Sequence, residues 1–209
     1  KTIRELREKS PKNAIILAAG FGMRMVPINT QYPKALIEVD GQPIIERIIN
    51  QLNSIGVKDI YIVVGYMKEQ FEYLIDEYKV KLIVNEKYAE KNNLHSLRLA
   101  ADYLSNTYII PCDIWCDKNP FHRYELYSWY MVSDLVTDES NVRVNRKEKK
   151  KKNNAGGNQM VGITYLVEED SRIIKERLIE YDNQKKYDNS FWEETLYSGE
   201  KMIVQANVV

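Results

Sequence analysis

Two small residues and two glycines close the first apolar run of this sequence, Leu17-Ala18-Ala19-Gly20-Phe21-Gly22-Met23-Arg24, and Pro33-Lys34-Ala35-Leu36 follows shortly after. Small side chains let a backbone approach a ligand closely, and glycine permits the positive-φ turns that aim successive N–H groups inward. Such a nest holds phosphate oxygens without a formal charge. Arg24 adds a planar fork suited to a polyphosphate. Pro33 stiffens the chain, leaves Gln31-Tyr32 extended, and delivers Lys34 as a compact charge from a rigid point. The chemistry open to these residues is the gripping and neutralising of a phosphate tail. A Gly-x-Gly after a strand also serves as a plain turn, so for the glycines alone both readings stand. The whole string with Arg24 and Pro33-Lys34 is far more specific. It is no Walker loop, because no Gly-Lys-Ser/Thr follows, and no dinucleotide fingerprint, because the third glycine is absent.

Other candidate groups are weaker by themselves. Asp113 closes the apolar run 108–113, and hard Mg²⁺ prefers carboxylate oxygen and substrate phosphate to a full protein cage. Asn92-Asn93 offers amides that donate and accept, yet alone it reads as a polar turn. His95 and His122 read as packing or surface residues. Cys112 and Cys116 are spaced too far apart for a Cys-x-x-Cys knuckle and lack a second pair, so they read as ordinary buried thiols. With fifteen tyrosines in the chain, Trp115, Tyr165, Tyr187 and Trp192 each read first as core.

The elements that must position these groups follow from the apolar pattern. Residues 14–19 form a continuous apolar run ended by Gly20, as suits a strand buried on both faces. Strands also fit 60–65, 81–84 and 108–113, and helices fit 43–55, 67–78 and 96–104 between them. Pro43 opens the first helix and Gly56 closes it. This alternation gives an α/β fold, a three-layer α/β/α Rossmann-like arrangement with a mixed, mostly parallel central sheet. In such sheets ligands bind outside the carboxyl ends of the strands, which points to Gly20–Arg24, Gly65-Tyr66, Asn85–Ser96 and Asp113. The second half is less regular. Strands are expected at 127–132, 142–144, 160–166 and 201–209, and helices at 168–181 and 192–196. Residues 1–12 read as a short helix or arm before the domain proper at 13–209, and 146–157 as a solvated, mobile basic loop.

The composition excludes some functions. The chain has 209 residues, 44% of them hydrophobic and 29% charged, with thirty basic and thirty acidic side chains. A zero net charge argues against coating nucleic acid or a membrane surface, since both demand a basic excess. No apolar run is long enough for a membrane span. Two cysteines cannot build a disulfide framework, so a reducing cytoplasm is the expected location. The start at Lys1 leaves room for a longer, multidomain chain.

The string from Leu17 to Arg24 with Pro33-Lys34-Ala35-Leu36 resembles the signature of sugar-1-phosphate-type nucleotidyltransferases and their cytidylyltransferase relatives. It is most similar to the bacterial CTP:phosphocholine cytidylyltransferases. Residues Ile62 to Phe71, the Tyr88-x-x-x-Asn92-Asn93-x-x-Ser96-Leu97 loop and Phe191-Trp192-Glu193 resemble further stretches of that family. The likeness covers 13–121 well, 160–209 loosely and 125–158 poorly.

The resemblance implies an enzyme that transfers CMP from CTP to phosphocholine with Mg²⁺, giving CDP-choline and pyrophosphate. Leu17, Ala18, Ala19, Gly20, Phe21 and Gly22 would wrap the triphosphate, with Gly65 beside them. Arg24 would hold the departing pyrophosphate and Lys34 the α-phosphate, while Asp113 would be the first magnesium ligand. Tyr88, Asn92, Asn93 and Ser96 would contact base and ribose. A quaternary ammonium cannot donate a hydrogen bond and is recognised by aromatic faces with a carboxylate nearby. Trp115, Tyr165, Tyr187, Trp192 and Glu193 would supply these. Related enzymes carry a second acid on a late strand. None is clear before Val209, which leaves Asp117 or Glu193 as a substitute, or an acid beyond the sequence. Two other readings are a sugar-1-phosphate nucleotidyltransferase and a non-catalytic nucleotide-binding regulatory module within a larger protein.

Overall fold

The computed structural model describes residues 3–20, 32–137, 157–199 and 201–209. In chain order the elements are α1 (Ile3–Glu8), β1 (Asn13–Ala18), the 3-10 turn Lys34–Leu36, β2 (Glu38–Val39), β3 (Gln42–Pro43), α2 (Ile44–Ser54), β4 (Asp59–Val64), the 3-10 turn Lys68–Phe71, α3 (Tyr73–Tyr78), β5 (Lys81–Val84), α4 (Asn93–Leu99), the 3-10 turn Ala101–Tyr103, β6 (Thr107–Pro111), β7 (Trp129–Thr137), β8 (Gly157–Leu166), α5 (Glu168–Asp182), the 3-10 turns Lys185–Tyr187 and Trp192–Leu196, β9 (Tyr197–Ser198), β10 (Lys201–Met202) and β11 (Gln205–Val208).

Seven strands form one sheet in the order β11-β7-β8-β6-β1-β4-β5. The pairs β1–β4, β1–β6, β4–β5 and β7–β11 are parallel. Only β8 runs against its neighbours β6 and β7, so the sheet is mixed and mostly parallel, as the sequence implies. Strand β1 lies inside the sheet between β6 and β4 and is buried on both faces, its side chains alternating between the two layers. Ala14, Ile16 and Ala18 pack with α2 and α3 (Ile45, Ile48, Ile49, Leu52, Leu74). Ile15 and Ala19 pack with α4 and α5 (Leu94, Leu97, Ile174, Leu178). Helix α2 buries Ile44, Ile45, Ile48, Ile49 and Leu52 as one stripe. Each such burial contributes about 1.5–3 kcal/mol, which is why this helix follows its periodicity closely. Gly56, at φ 97°, closes it in a conformation that an L side chain resists.

The structure departs from the sequence reading where local geometry interrupts a period. The helix expected over 67–78 begins as the 3-10 turn Lys68–Phe71, because Met67 before it sits in the left-handed region at φ 52°. The helix expected from Ser96 starts at Asn93 instead, with the Asn92 side chain accepting from the Asn93 N–H. Residues 192–196 form a 3-10 turn, and Gly157, read as the end of the basic loop, already belongs to β8. The rest of that loop and the strand expected at 142–144 lie outside the described residues. The expected last strand is two strands. β10 pairs with β9, whereas β11 joins the main sheet beside β7. Among the described residues no helix is long and apolar enough to cross a membrane.

The strand order turns back at β1. β4 and β5 lie on one side of it, and β6, β8, β7 and β11 on the other. A crevice opens at the carboxyl ends of strands at such a reversal, and here it lies between the segments after β1 and β6.

Candidate active site at the carboxyl ends of the strands

Ala19 and Gly20 leave β1 at that crevice. Ala19 is buried and Gly20 exposed. A Cβ at Gly20 would meet nothing within 4 Å, so packing among the described residues does not require the glycine there. Phe21, Gly22 and Arg24 lie outside the described residues. Gly65, at the end of β4, is constrained by packing. A Cβ there would stand 2.7 Å from the Tyr88 Cβ and 2.9 Å from the Ala19 carbonyl oxygen. The glycine therefore lets the Ala19-Gly20 stem and the Tyr88 segment close onto one another.

Lys34 opens a 3-10 turn behind Pro33, whose φ is −59°. Its Nζ lies 3.3 Å from Oδ2 of Asp113, just past the end of β6, with 24% and 46% of the two side chains exposed. A cation and a carboxylate 79 residues apart in sequence thus meet at the topological reversal. A partly exposed pair of this kind is worth about 0–1 kcal/mol, so the ammonium can exchange the carboxylate for another anion at small cost.

The loop after β5 forms one wall. Asn85 is buried, donates its N–H to the Val64 carbonyl at 2.7 Å, and donates Nδ2 to the Ser96 hydroxyl at 3.0 Å. Its Oδ1 accepts from the Lys87 N–H at 2.9 Å. Ser96 is therefore buried behind the loop and holds its shape. Asn92 accepts from Asn93 N–H at 2.7 Å and donates Nδ2 to the Asn189 carbonyl at 3.1 Å. Asn93 accepts from the Trp192 N–H at 2.8 Å. These two asparagines stitch the loop to the segment carrying Trp192 and Glu193. Tyr88 stays partly buried, its ring 6.2 Å from that of Tyr66.

The aromatic residues proposed for an ammonium do not converge, which corrects the sequence reading. Tyr165 is fully buried on the α2 face of the sheet and donates its hydroxyl to the Lys9 carbonyl. Trp115 packs against that same cluster, and the Arg47 guanidinium lies 4.3 Å from its ring centre. Trp192 and Tyr187 belong to the opposite face. Trp192 is buried at 2% exposure, and Tyr187 stacks on Tyr181 at 4.3 Å. The strand register decides this, since alternate residues of a strand face opposite layers. Tyr165 and Trp192 cannot line one cage.

Glu193 differs from the aromatics. Its Oε1 accepts from the Tyr130 hydroxyl at 3.1 Å, and its Oε2 is buried with no hydrogen-bond partner among the described residues. Burial pushes its carboxyl up to about 7, against the lowering effect of its own backbone N–H and of Tyr130. A carboxylate oxygen buried without a donor is costly unless a cation or donor completes it. Tyr130 itself gave no sequence signal beyond being one tyrosine among fifteen.

Asp117 accepts from Trp115 Nε1 at 3.1 Å. Among the described residues no group of three or more His, Cys, Asp or Glu side chains is arranged to hold a metal ion. A magnesium ion held by one or two carboxylates and completed by substrate phosphates needs no such cluster, and the half-exposed Asp113 carboxylate fits that mode. Cys112 and Cys116 are half-buried rather than buried, and free. Desolvation pushes the Cys112 thiol up to about 12, which disfavours its thiolate. His122 is exposed beside Glu125, its Nδ1 3.1 Å from the carboxylate.

Residues 14–125 match the MobA-like NTP transferase domain family. The chain is 49% identical over 151 residues to a choline-phosphate cytidylyltransferase of Streptococcus pneumoniae, a match spanning 63% of this chain and 66%, just under two thirds, of that protein. It is 35% identical over 202 residues to a 2-aminoethylphosphonate cytidylyltransferase of Lancefieldella rimae, covering 88% of this chain and 78% of the relative. Among solved structures, the CTP:phosphocholine cytidylyltransferase of Streptococcus pneumoniae superposes with a TM-score of 0.84 at 30% identity, covering 95% of this chain and 90% of that one.

Proposed function

This chain belongs to the MobA-like NTP transferase domain family, and from that premise we propose that it transfers CMP from CTP to phosphocholine, giving CDP-choline and pyrophosphate. The observation that carries the reading is the Lys34–Asp113 pair, 3.3 Å apart at the strand-order reversal. There the family signature calls for a cation on the α-phosphate and a carboxylate for the metal. An oxygen of the phosphocholine phosphate attacks the α-phosphorus in line. The new P–O bond forms as the bond to the β-phosphate bridging oxygen breaks, and pyrophosphate leaves with that electron pair. Both reactants are anions, so the barrier is largely repulsion and misorientation. Lys34, with Arg24 from the phosphate loop, lowers both. The acceptor phosphate is already ionised at neutral pH, so no side chain need remove a proton. Asp113 would hold magnesium, which when bound supplies charge neutralisation on the phosphates.

Phosphocholine as acceptor is supported by the streptococcal relative and by the buried Glu193 carboxylate. A second reading, 2-aminoethylphosphonate, is supported by the longer match to the second relative and by the unpartnered Glu193 Oε2. That oxygen could accept from a primary ammonium, whereas a quaternary one offers it only charge. Pyrophosphate release separates them. CTP is paired with phosphocholine, with 2-aminoethylphosphonate and with phosphoethanolamine, and UTP or dTTP with glucose-1-phosphate. The highest kcat/KM is expected for CTP with phosphocholine. Turnover confined to the sugar phosphate, or none with any pair, would overturn the reading. Asp113→Asn is expected to abolish the response of the rate to added magnesium, and an unchanged metal titration would remove Asp113 as a ligand.

A further inference from the structure

A buried cluster of charge lies among the described residues around Asp182. Asp182, the last residue of α5, receives Lys91 Nζ at 2.9 Å and lies 2.8 Å from His95 Nδ1. Lys91 also reaches Asp188 Oδ1 at 3.3 Å and donates to the Asp182 backbone carbonyl at 2.8 Å. The side chains of Lys91, Asp182 and His95 are each less than one-fifth exposed. Lys91 and His95 flank Asn92 and Asn93, whose amides hold the loop to the segment leading into Trp192 and Glu193.

The placement of Asp182 is unfavourable for helix stability alone. An acid in the last turn opposes the helix dipole, and α5 carries no basic residue of its own in that turn. Lys91 supplies the missing charge from across the fold and also caps the helix by taking the Asp182 carbonyl. Burial would raise the Asp182 carboxyl, but the hydrogen bonds from Lys91 and His95 outweigh it and hold the group below the usual carboxylate range. The group is therefore ionised at neutral pH. It is the common anchor of two loop residues on either side of the asparagine pair.

We propose that Asp182 is a positioning residue for the nucleotide: by gripping Lys91 and His95 together it fixes the Tyr88–Ser96 loop in its binding shape. The inference rests on the reading that this loop takes the CTP base and ribose. Asp182 contacts Lys91 and His95 and, among the described residues, neither Lys34 nor Asp113, so its effect passes through the loop.

The experiment compares wild type, Asp182→Asn and Asp182→Glu. It measures CTP binding by calorimetry, kcat and KM by pyrophosphate release, and Tm. Asp182→Asn is expected to raise the CTP Kd and KM by about tenfold, the size of one lost charge-assisted hydrogen bond. Its kcat at saturating CTP should fall less than about threefold on the same scale, and Asp182→Glu should recover part of the affinity. A purely structural role would lower Tm and the active fraction while leaving the Kd of the remaining protein unchanged. Should Asp182→Asn fail to fold, Lys91→Met, which leaves the Asp182–His95 contact in place, carries the same expectation. Folded variants that bind CTP as wild type does overturn the inference alone. Wild type that binds no CTP overturns the functional reading beneath it.

Discussion

A lysine whose only charged partner among the described residues is a half-exposed carboxylate is poorly used for stability, since such a pair is worth about 0–1 kcal/mol, yet Lys34 keeps just 24% of its side chain exposed. That combination suits a charge whose work begins when phosphate arrives. Lys34→Ala is expected to lower kcat/KM by about 10²-fold or more, as loss of one charge stabiliser does, with little change in Tm. Near-wild-type turnover in the pyrophosphate assay would remove Lys34 from the site. Glu193 makes a prediction in pH. Its folded value of about 7 lies above its ordinary 4.5, so between the two the native state holds more protons than the unfolded one. Stability from this group is therefore greatest at acid pH, falls as pH rises from 4.5 to about 7, and levels off above. Cation binding has the opposite demand, because only the ionised form attracts an ammonium. The acceptor KM should fall as pH rises through about 7, and Glu193→Gln should raise it and remove the part of the pH dependence beyond the acceptor's own phosphate ionisation. Identical KM–pH curves for the two proteins would show that the carboxylate does not meet the acceptor.

At the scale of elements, the close approach of β4, the Ala19-Gly20 stem and the Tyr88 segment runs through Gly65. Gly65→Ala places a methyl 2.7 Å from the Tyr88 Cβ and 2.9 Å from the Ala19 oxygen, and overpacking of this kind costs about 1–3 kcal/mol. Both neighbours are backbone or near-backbone atoms that cannot swing aside. A lower Tm together with weaker CTP binding is expected, and thermal melts with a CTP titration check it. The same elements show what the sequence reveals. β1, β4 and β6 read clearly because strands buried on both faces are continuous apolar runs ended by glycine, proline or an acid. Gly20 and Asp113 could therefore be placed at the carboxyl edge, whereas Lys34 rested on the Pro33-Lys34 motif. The aromatic set could not be sorted, because burial on one face or the other depends on register, and Tyr165 and Tyr130 occupy adjacent strands yet face opposite layers. The Asp182 anchor gave no sequence signal, since it joins Lys91 across 91 residues, and each residue type alone reads as a solvated surface charge.

For the whole molecule the open question is why a segment with no buried residue of its own, α1, folds against the domain. Three contacts answer it, all at the amino ends of the strands and away from the Lys34–Asp113 crevice. The Tyr165 hydroxyl donates to the Lys9 carbonyl, Asn106 Nδ2 to the Glu8 carbonyl at 2.7 Å, and the Lys12 N–H to the Asn106 carbonyl at 2.9 Å. Tyr165 and Asn106 are both buried, so removal of residues 1–10 strips acceptors from a hydroxyl and an amide that water reaches poorly. Each loss costs about 1–3 kcal/mol, a large part of the roughly 5–15 kcal/mol that holds a domain together. The truncated protein is expected to melt at a clearly lower temperature while keeping its kcat and KM for CTP well below that melt, because the crevice is at the other end of the sheet. Tyr165→Phe supplies the control, since a phenylalanine there has no hydroxyl to leave unpaired. On that background the same truncation should cost less, and the difference between the two costs measures the Tyr165–Lys9 contact. Equal costs on both backgrounds would mean that the removed arm holds to the domain through the Asn106–Glu8 contact instead.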